Sequence, residues 1–254
     1  MFYKAVQKER IITFQVVEKI KKKANNPMDE APVKIAILGD SVSHGCFEII
    51  EKGDGRVDCV YDHEAVYSNR LRKHIQNVFP NCPVTIINAG ISGGNAVQGA
   101  ERVSRDVIAA NPDLAIVCFG LNDVMGSLEN YLNGLSSIFQ QLREAGIDTI
   151  FMTPNHMCTY ACPQLTSEWL KEAGTSCAEA QTSGKLDSFM QEARALCAQQ
   201  QVTVCDCYDD WTRLASYGAD TTYLLSNYIN HPTREMHALF ADRLFETIFL
   251  KGKD

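Results

Sequence analysis

The chain has 254 residues, 45% of them hydrophobic and 22% charged, a composition that supplies one large core and excludes a disordered or fibrous protein. Its 24 Lys and Arg against 31 Asp and Glu leave a formal charge of -7, so there is no long-range attraction for phosphate backbones and nucleic acid is not an expected partner. No run approaches the roughly 20 apolar residues of a membrane span, so no membrane insertion is expected.

In chain order, residues 3–23 alternate apolar and charged positions at helical spacing. They end in Lys19, Lys21, Lys22 and Lys23, a run read as a solvated helix end whose cations complement the carbonyl terminus. A polar, Pro-containing connector closes this extension at residue 32, and residues 33–254 are read as the main domain. Residues 33–38 are a nearly continuous apolar run of strand length. Four similar runs follow at 84–87, 114–119, 149–152 and 202–204, the pattern of strands buried on both faces. Between them, residues 64–79, 96–110, 128–145, 185–200 and 234–250 carry helical periodicity. This alternation predicts an α/β fold, a three-layer αβα sandwich around a five-stranded parallel sheet of flavodoxin-like order. Two segments, 45–62 and 154–184, interrupt it, and insertions of that length commonly serve as lids or substrate loops.

In such a sheet ligands bind beyond the carboxyl ends of the strands, and four short motifs fall there. Gly39-Asp40-Ser41 ends the first strand, where a serine hydroxyl faces the cleft; the same residues would also serve as a plain helix cap. Asn88 to Asn95 follows the second strand, with glycines that let backbone N–H groups approach a developing negative charge. It reads equally as a glycine-rich turn, and it lacks the Walker lysine or the glycine spacing of a phosphate loop. Gly120-Leu121-Asn122-Asp123 follows the third strand, where the Asn122 amide can donate into the cleft and Asp123 can anchor the loop or cap the next helix. His231-Pro232 precedes the last helix; the proline restricts the histidine backbone and suits a helix's first turn.

Taken in order, these blocks resemble those of the SGNH, or GDSL, hydrolase family, over residues of about 33 to 245. The resemblance implies a serine hydrolase in which Ser41 is the nucleophile and His231 its base. The N–H groups of Ser41 and Gly93 and the amide of Asn122 would form the oxyanion hole. The family's triad aspartate stands three residues before the histidine, and Tyr228 occupies that position here. A Ser-His dyad oriented by a backbone carbonyl, an Asn227, Tyr228 or Asn230 substitute, and a carboxylate from Asp206, Asp209, Asp210 or Asp220 are the three accounts, with the dyad preferred. Of the other histidines, His44 and His156 fall near the cleft.

The ten cysteines lack the spacing of a structural zinc site and read as inert thiols, with Cys205 ending the fifth strand. No metal and no cofactor is expected. The N-terminus lacks the apolar core and cleavage site of a secretory signal, which with the thiols gives a cytoplasmic expectation. The expected function is hydrolysis of short-chain acyl, above all acetyl, esters of small soluble or carbohydrate substrates through an acyl-serine intermediate, with a rate that rises through the His231 pKa between about pH 5 and 8. The reading leaves homo-oligomerisation open. Its rivals are a catalytically impaired carbohydrate- or ligand-binding module on the same fold and a nucleotide-binding flavodoxin-like protein.

Overall fold

The computed structural model describes residues 13–28, 30–52 and 56–253. In chain order its helices and strands are Gln15–Asn25 (α1), Val33–Gly39 (β1), Ser41–His44 (α2), Cys46–Glu51 (β2), Val57–Tyr61 (β3), Tyr67–Val78 (α3), Val84–Gly90 (β4) and Ala96–Asp106 (α4). There follow Leu114–Cys118 (β5), Leu128–Glu144 (α5), Thr149–Met152 (β6), Glu168–Thr182 (α6), Lys185–Gln200 (α7), Thr203–Cys205 (β7), Cys207–Ser216 (α8) and Arg234–Glu246 (α9).

The apolar runs pair as continuous hydrophobicity requires. β4, β1, β5, β6 and β7 form one sheet in that order, and every neighbouring pair is parallel. Counted along the sheet's own strands this is second, first, third, fourth, fifth, the flavodoxin-like order. The central β5 is buried at every residue, and β1 at every residue but Lys34, whose ammonium reaches the carbonyl of Ala110 at 2.5 Å. Helices flank the sheet: α4 packs on α5 and α5 on α7, while α3 packs on α9. The expected α/β sandwich is therefore the one found.

Several boundaries differ from the periodicity. The helix expected from residue 64 starts at Tyr67, because the Asp62 carboxylate accepts the N–H groups of Glu64 and Ala65 at 3.2 and 3.0 Å and holds a turn there. The 96–110 stretch ends as a helix at Asp106 and continues as the 3₁₀ turn Ile108–Ala110. The last helix gives way to a π turn at Thr247–Lys251.

Residues 3–12 of the expected first helix lie outside the described residues. In α1 and just before it, Phe14, Val16 and Ile20 are buried in the main core. The basic run is not wholly a solvated helix end. Lys23 is buried, and its ammonium donates to the carbonyls of Pro27 and Glu30, because the connector folds back over the helix terminus. Lys19 pairs with Asp113 at 2.8 Å. Of the two interruptions, 45–62 forms an antiparallel hairpin of β2 and β3 that pairs outside the main sheet. Segment 154–184 contains α6, capped by Ser167, whose hydroxyl accepts the Leu170 N–H.

Candidate active site

The site is assembled where β1, β4 and β5 end. Beyond β1 the Asp40 carboxylate accepts the Val42 N–H at 2.9 Å and caps α2, which makes Ser41 the first residue of a one-turn helix. Asp40 is thus a cap, and Ser41, at the carboxyl end of β1, is buried. That helix sits directly on the end of β4. A Cβ at Gly90 would lie 2.4 Å from the His44 nitrogen, so only glycine permits the approach.

His231 comes from the loop before α9. The Asn227 side-chain oxygen accepts the N–H groups of Ile229, Asn230 and His231 at 3.0, 3.0 and 2.9 Å, a tight turn in which Tyr228 adopts a left-handed φ of 56°. Pro232 lies outside the helix rather than in its first turn. It bridges to Leu225, and Thr233 is the residue that caps α9.

These two elements place Ser41 Oγ 2.8 Å from His231 Nε2, across 190 residues of sequence. The other ring nitrogen, Nδ1, lies 3.1 Å from the carbonyl oxygen of Phe47 in β2. A carbonyl only accepts, so Nδ1 carries the proton, Nε2 is the acceptor, and the Ser41 hydroxyl donates to it. Both side chains are buried. Burial pushes the His231 pKa down to about 4, against the Phe47 carbonyl and the Glu48 charge, which pull it upward.

The candidate acids lie elsewhere. Asp206 accepts from Arg194 at 2.8 Å and from Thr153 at 2.9 Å, Asp209 pairs with Arg213, Asp210 with Arg243, and Asp220 accepts from the Tyr160 hydroxyl at 2.6 Å. Asn227 orients the His231 backbone and not its ring. Tyr228 packs edge-on against Tyr223. Among the described residues no carboxylate is hydrogen-bonded to His231, and the backbone-carbonyl account is the one with a contact behind it.

The two remaining loops are tied together. Gly93 has a left-handed φ of 76° with nothing within 4 Å of where a Cβ would stand. The Asn122 amide donates one proton to Gly94 O at 2.9 Å, which leaves its second N–H. Asp123 does not cap the helix that follows it; its Oδ1 accepts the Ala96 N–H at 2.8 Å, at the start of α4, while its buried Oδ2 has no hydrogen-bond partner among the described residues. Burial raises Asp40 to about 7 and Asp123 to about 6.

One supporting residue carried no motif. The buried Arg102 guanidinium donates to Ala89 O at 2.5 Å and to Gly39 O at 3.0 Å, and so fixes the ends of β4 and β1 relative to each other. Of the two flagged histidines, His44 is beside the site: its Nδ1 lies 3.3 Å from Ser92 Oγ, and its ring lies 4.5 Å from that of Tyr61. His156 is a packing residue, buried against Tyr208 and bonded to Thr212. Among the described residues no group of three or more His, Cys, Asp or Glu is placed to hold a metal ion.

A serine hydrogen-bonded to histidine recurs on unrelated folds, so the pair alone names no family. Residues 37–239, which contain all four motifs, match the GDSL-like Lipase/Acylhydrolase family. The chain belongs to that family. This GDSL-like chain is 31% identical over 91 residues to an acetylxylan esterase of Geobacillus stearothermophilus, covering 36% of this chain and 40% of that relative. It is 26% identical over 125 residues to an arylesterase of Vibrio mimicus, covering 48% of this chain and 55% of the relative. The aligned stretches thus span about half or less of these relatives' own length. The crystal structure of Axe2, an acetylxylan esterase from Geobacillus stearothermophilus, superposes with a TM-score of 0.63 at 18% identity, covering 87% of this chain and 96% of that one. That is a likeness of fold. No helix among the described residues is long and apolar enough to cross a membrane.

Proposed function

We propose that this GDSL-like chain is a serine esterase that hydrolyses short-chain acyl esters, chiefly acetyl esters of small soluble or carbohydrate alcohols. The observation that carries the reading is the oriented relay from Ser41 Oγ through His231 to the Phe47 carbonyl. His231 Nε2 takes the hydroxyl proton as Ser41 Oγ attacks the ester carbonyl. The resulting oxyanion is held by the N–H groups of Ser41 and Gly93 and the second N–H of Asn122. Collapse expels the alcohol, which takes its proton from the imidazolium. Water activated by the same nitrogen then releases the acid and restores the serine.

The acetyl preference draws on the acetylxylan esterases among its relatives. The binding-module alternative arose from the missing aspartate, and an imidazole whose Nδ1 has a carbonyl partner favours the esterase reading over it. All ten cysteines are free thiols, which fits action in a reducing compartment such as the cytoplasm.

The test is hydrolysis of p-nitrophenyl acetate, butyrate and octanoate, and of acetylated xylooligosaccharides, by wild type and Ser41→Ala with matched circular dichroism. Turnover that depends on Ser41 and falls with acyl length is the expected result. Equal rates for the two proteins, or none on any substrate, would overturn the proposal.

A further inference from the structure

The hydrogen bond that fixes the His231 tautomer ends on a main-chain atom, and a main-chain acceptor is only as well placed as the strand that carries it. β2 is not part of the five-stranded sheet, and among the described residues it pairs with β3 alone. Something else must therefore hold Phe47 against the 225–233 loop.

Arg234 is placed to do this. It is the first residue of α9, three residues after His231, and Thr233 caps that helix. Its guanidinium lies 4.3 Å from the centroid of the Phe47 ring. Nη1 and Nη2 donate to the two oxygens of Glu48 at 2.6 and 3.2 Å, and Nε donates to Asp62 at 3.0 Å. Glu48 follows Phe47 in β2, and Asp62 directly follows β3. One side chain therefore grips both strands of the hairpin and stacks on the residue whose carbonyl holds the base.

Planarity is what makes this work. A guanidinium offers a fork of donors in one plane and a flat face for an aromatic ring, which an ammonium does not. The pair is half-exposed, at 34% for Arg234 and 37% for Glu48, and exposed ion pairs contribute little to stability. An arrangement this specific has more to offer geometry than folding energy.

We propose that Arg234 is a positioning residue which, through Glu48, Asp62 and the Phe47 ring, holds the Phe47 carbonyl on His231 Nδ1, so that the hairpin takes over the orienting task of the absent triad aspartate. The inference rests on the reading of Ser41 and His231 as nucleophile and base. The charge acting on the His231 ring is that of Glu48 on β2, and His237 on α9, which also senses His231, faces Arg70, Arg234 and Asp62.

The experiment compares wild type with Arg234→Met, Arg234→Lys and Glu48→Gln in the full chain. Ser41 is titrated with a fluorophosphonate, kcat and KM are measured on p-nitrophenyl acetate, and the tautomer of His231 is read from its imidazole ¹⁵N shifts, assigned with His231→Gln. In Arg234→Met, kcat per titrated site should fall about tenfold to a hundredfold with KM unchanged, part of the roughly 10²–10⁴ that a positioned base contributes. The ¹⁵N shifts should change from a single Nδ1–H form to a mixture. Arg234→Lys should fall between, since it keeps the charge without the fork. Glu48→Gln should be milder, because an amide oxygen still accepts.

A single unchanged tautomer in Arg234→Met would overturn the proposal. So would a loss confined to the number of titratable sites, with kcat per site at the wild-type value. If wild type itself neither labels at Ser41 nor turns over, it is the esterase reading that fails, and the tautomer measurement still decides the clamp.

Discussion

Replacing Asn122 by Ala separates what its amide does for the fold from what it does for the reaction. In the resting structure the amide makes one hydrogen bond, to Gly94 O at 2.9 Å. The residue is half-buried, so water can reach the vacated carbonyl, and a neutral bond of this kind contributes about 0.5–1.5 kcal/mol. For a chain of this size each kcal/mol moves Tm by about 2–4 °C, which predicts a fall of about 1–6 °C. The reaction should suffer far more. Loss of one oxyanion donor costs on the order of 10²–10³ in kcat, about 2.7–4 kcal/mol, because the interaction tightens only as negative charge develops. KM for p-nitrophenyl acetate should stay close to wild type. The assay is steady-state hydrolysis normalised to titrated Ser41, beside a thermal melt. A variant within about threefold of wild-type kcat would show that Asn122 is a loop tether and not a donor, since the full oxyanion effect is far larger.

Three further outcomes follow from the site. Because burial holds His231 at about 4, kcat/KM should be flat from about pH 5.5 to 8 and fall only on approach to pH 4, below which the base is protonated; a limb near 6.5 would mean a solvated ring and a wrong geometry. That moves the limb below the pH 5–8 window an unperturbed histidine predicts. Asp123 is raised to about 6, so its contribution to stability is complete below the unfolded value near 3.8 and is lost as pH rises through 6. Asp123→Asn keeps an acceptor for Ala96 N–H, and its stability should therefore gain on wild type between pH 4 and 8, by up to about 3 kcal/mol; parallel melting curves across that range would refute it. Gly90→Ala should lower both Tm and kcat, since its Cβ must push α2 off the end of β4 at a cost of about 1–3 kcal/mol, and an unchanged melt would show that the close approach is relieved elsewhere.

The parallel sheet was legible because burial on both faces leaves its mark residue by residue: residues 33–38, 114–119 and 149–152 are apolar almost without a break. The Ser41 and His231 motifs were legible because strand ends and helix starts have recognisable chemistry, even when 190 residues separate them. Other parts were hidden for definite reasons. α8 begins two residues after the three-residue β7, and its buried Cys207, Tyr208 and Trp211 lie in a stretch whose cysteines read only as inert thiols. The Asp206 cap, which accepts the Asp209 N–H, was the signal that could have exposed it. The β2–β3 hairpin carries no clean period of two, with adjacent apolar pairs at Ile49-Ile50 and Cys59-Val60, and it read as an insertion because it pairs outside the main sheet. Arg102 looked like any charge on an amphipathic helix, since nothing in a sequence says that a guanidinium will turn inward to the ends of β1 and β4.

The partner of His231 Nδ1 belongs to a different class of hidden feature. A carboxylate acceptor is written in the sequence as Asp or Glu, whereas a carbonyl acceptor is offered by every residue and marked by none. The two are not chemically equal. An aspartate both fixes the tautomer and stabilises the imidazolium, and the Phe47 carbonyl does the first fully and the second only as a dipole, aided by the charge of Glu48. On the proposed reading the base is therefore weaker, which would slow attack by Ser41. Its conjugate acid is correspondingly stronger, which speeds protonation of the departing alcohol. For an ester of an ordinary alcohol, whose alkoxide is a poor leaving group, the second effect offsets part of the first. Under the proposed reading, a carbonyl in place of the triad acid would redistribute the barrier between attack and collapse, and Tyr228 at the usual acid position does not by itself argue against that reading.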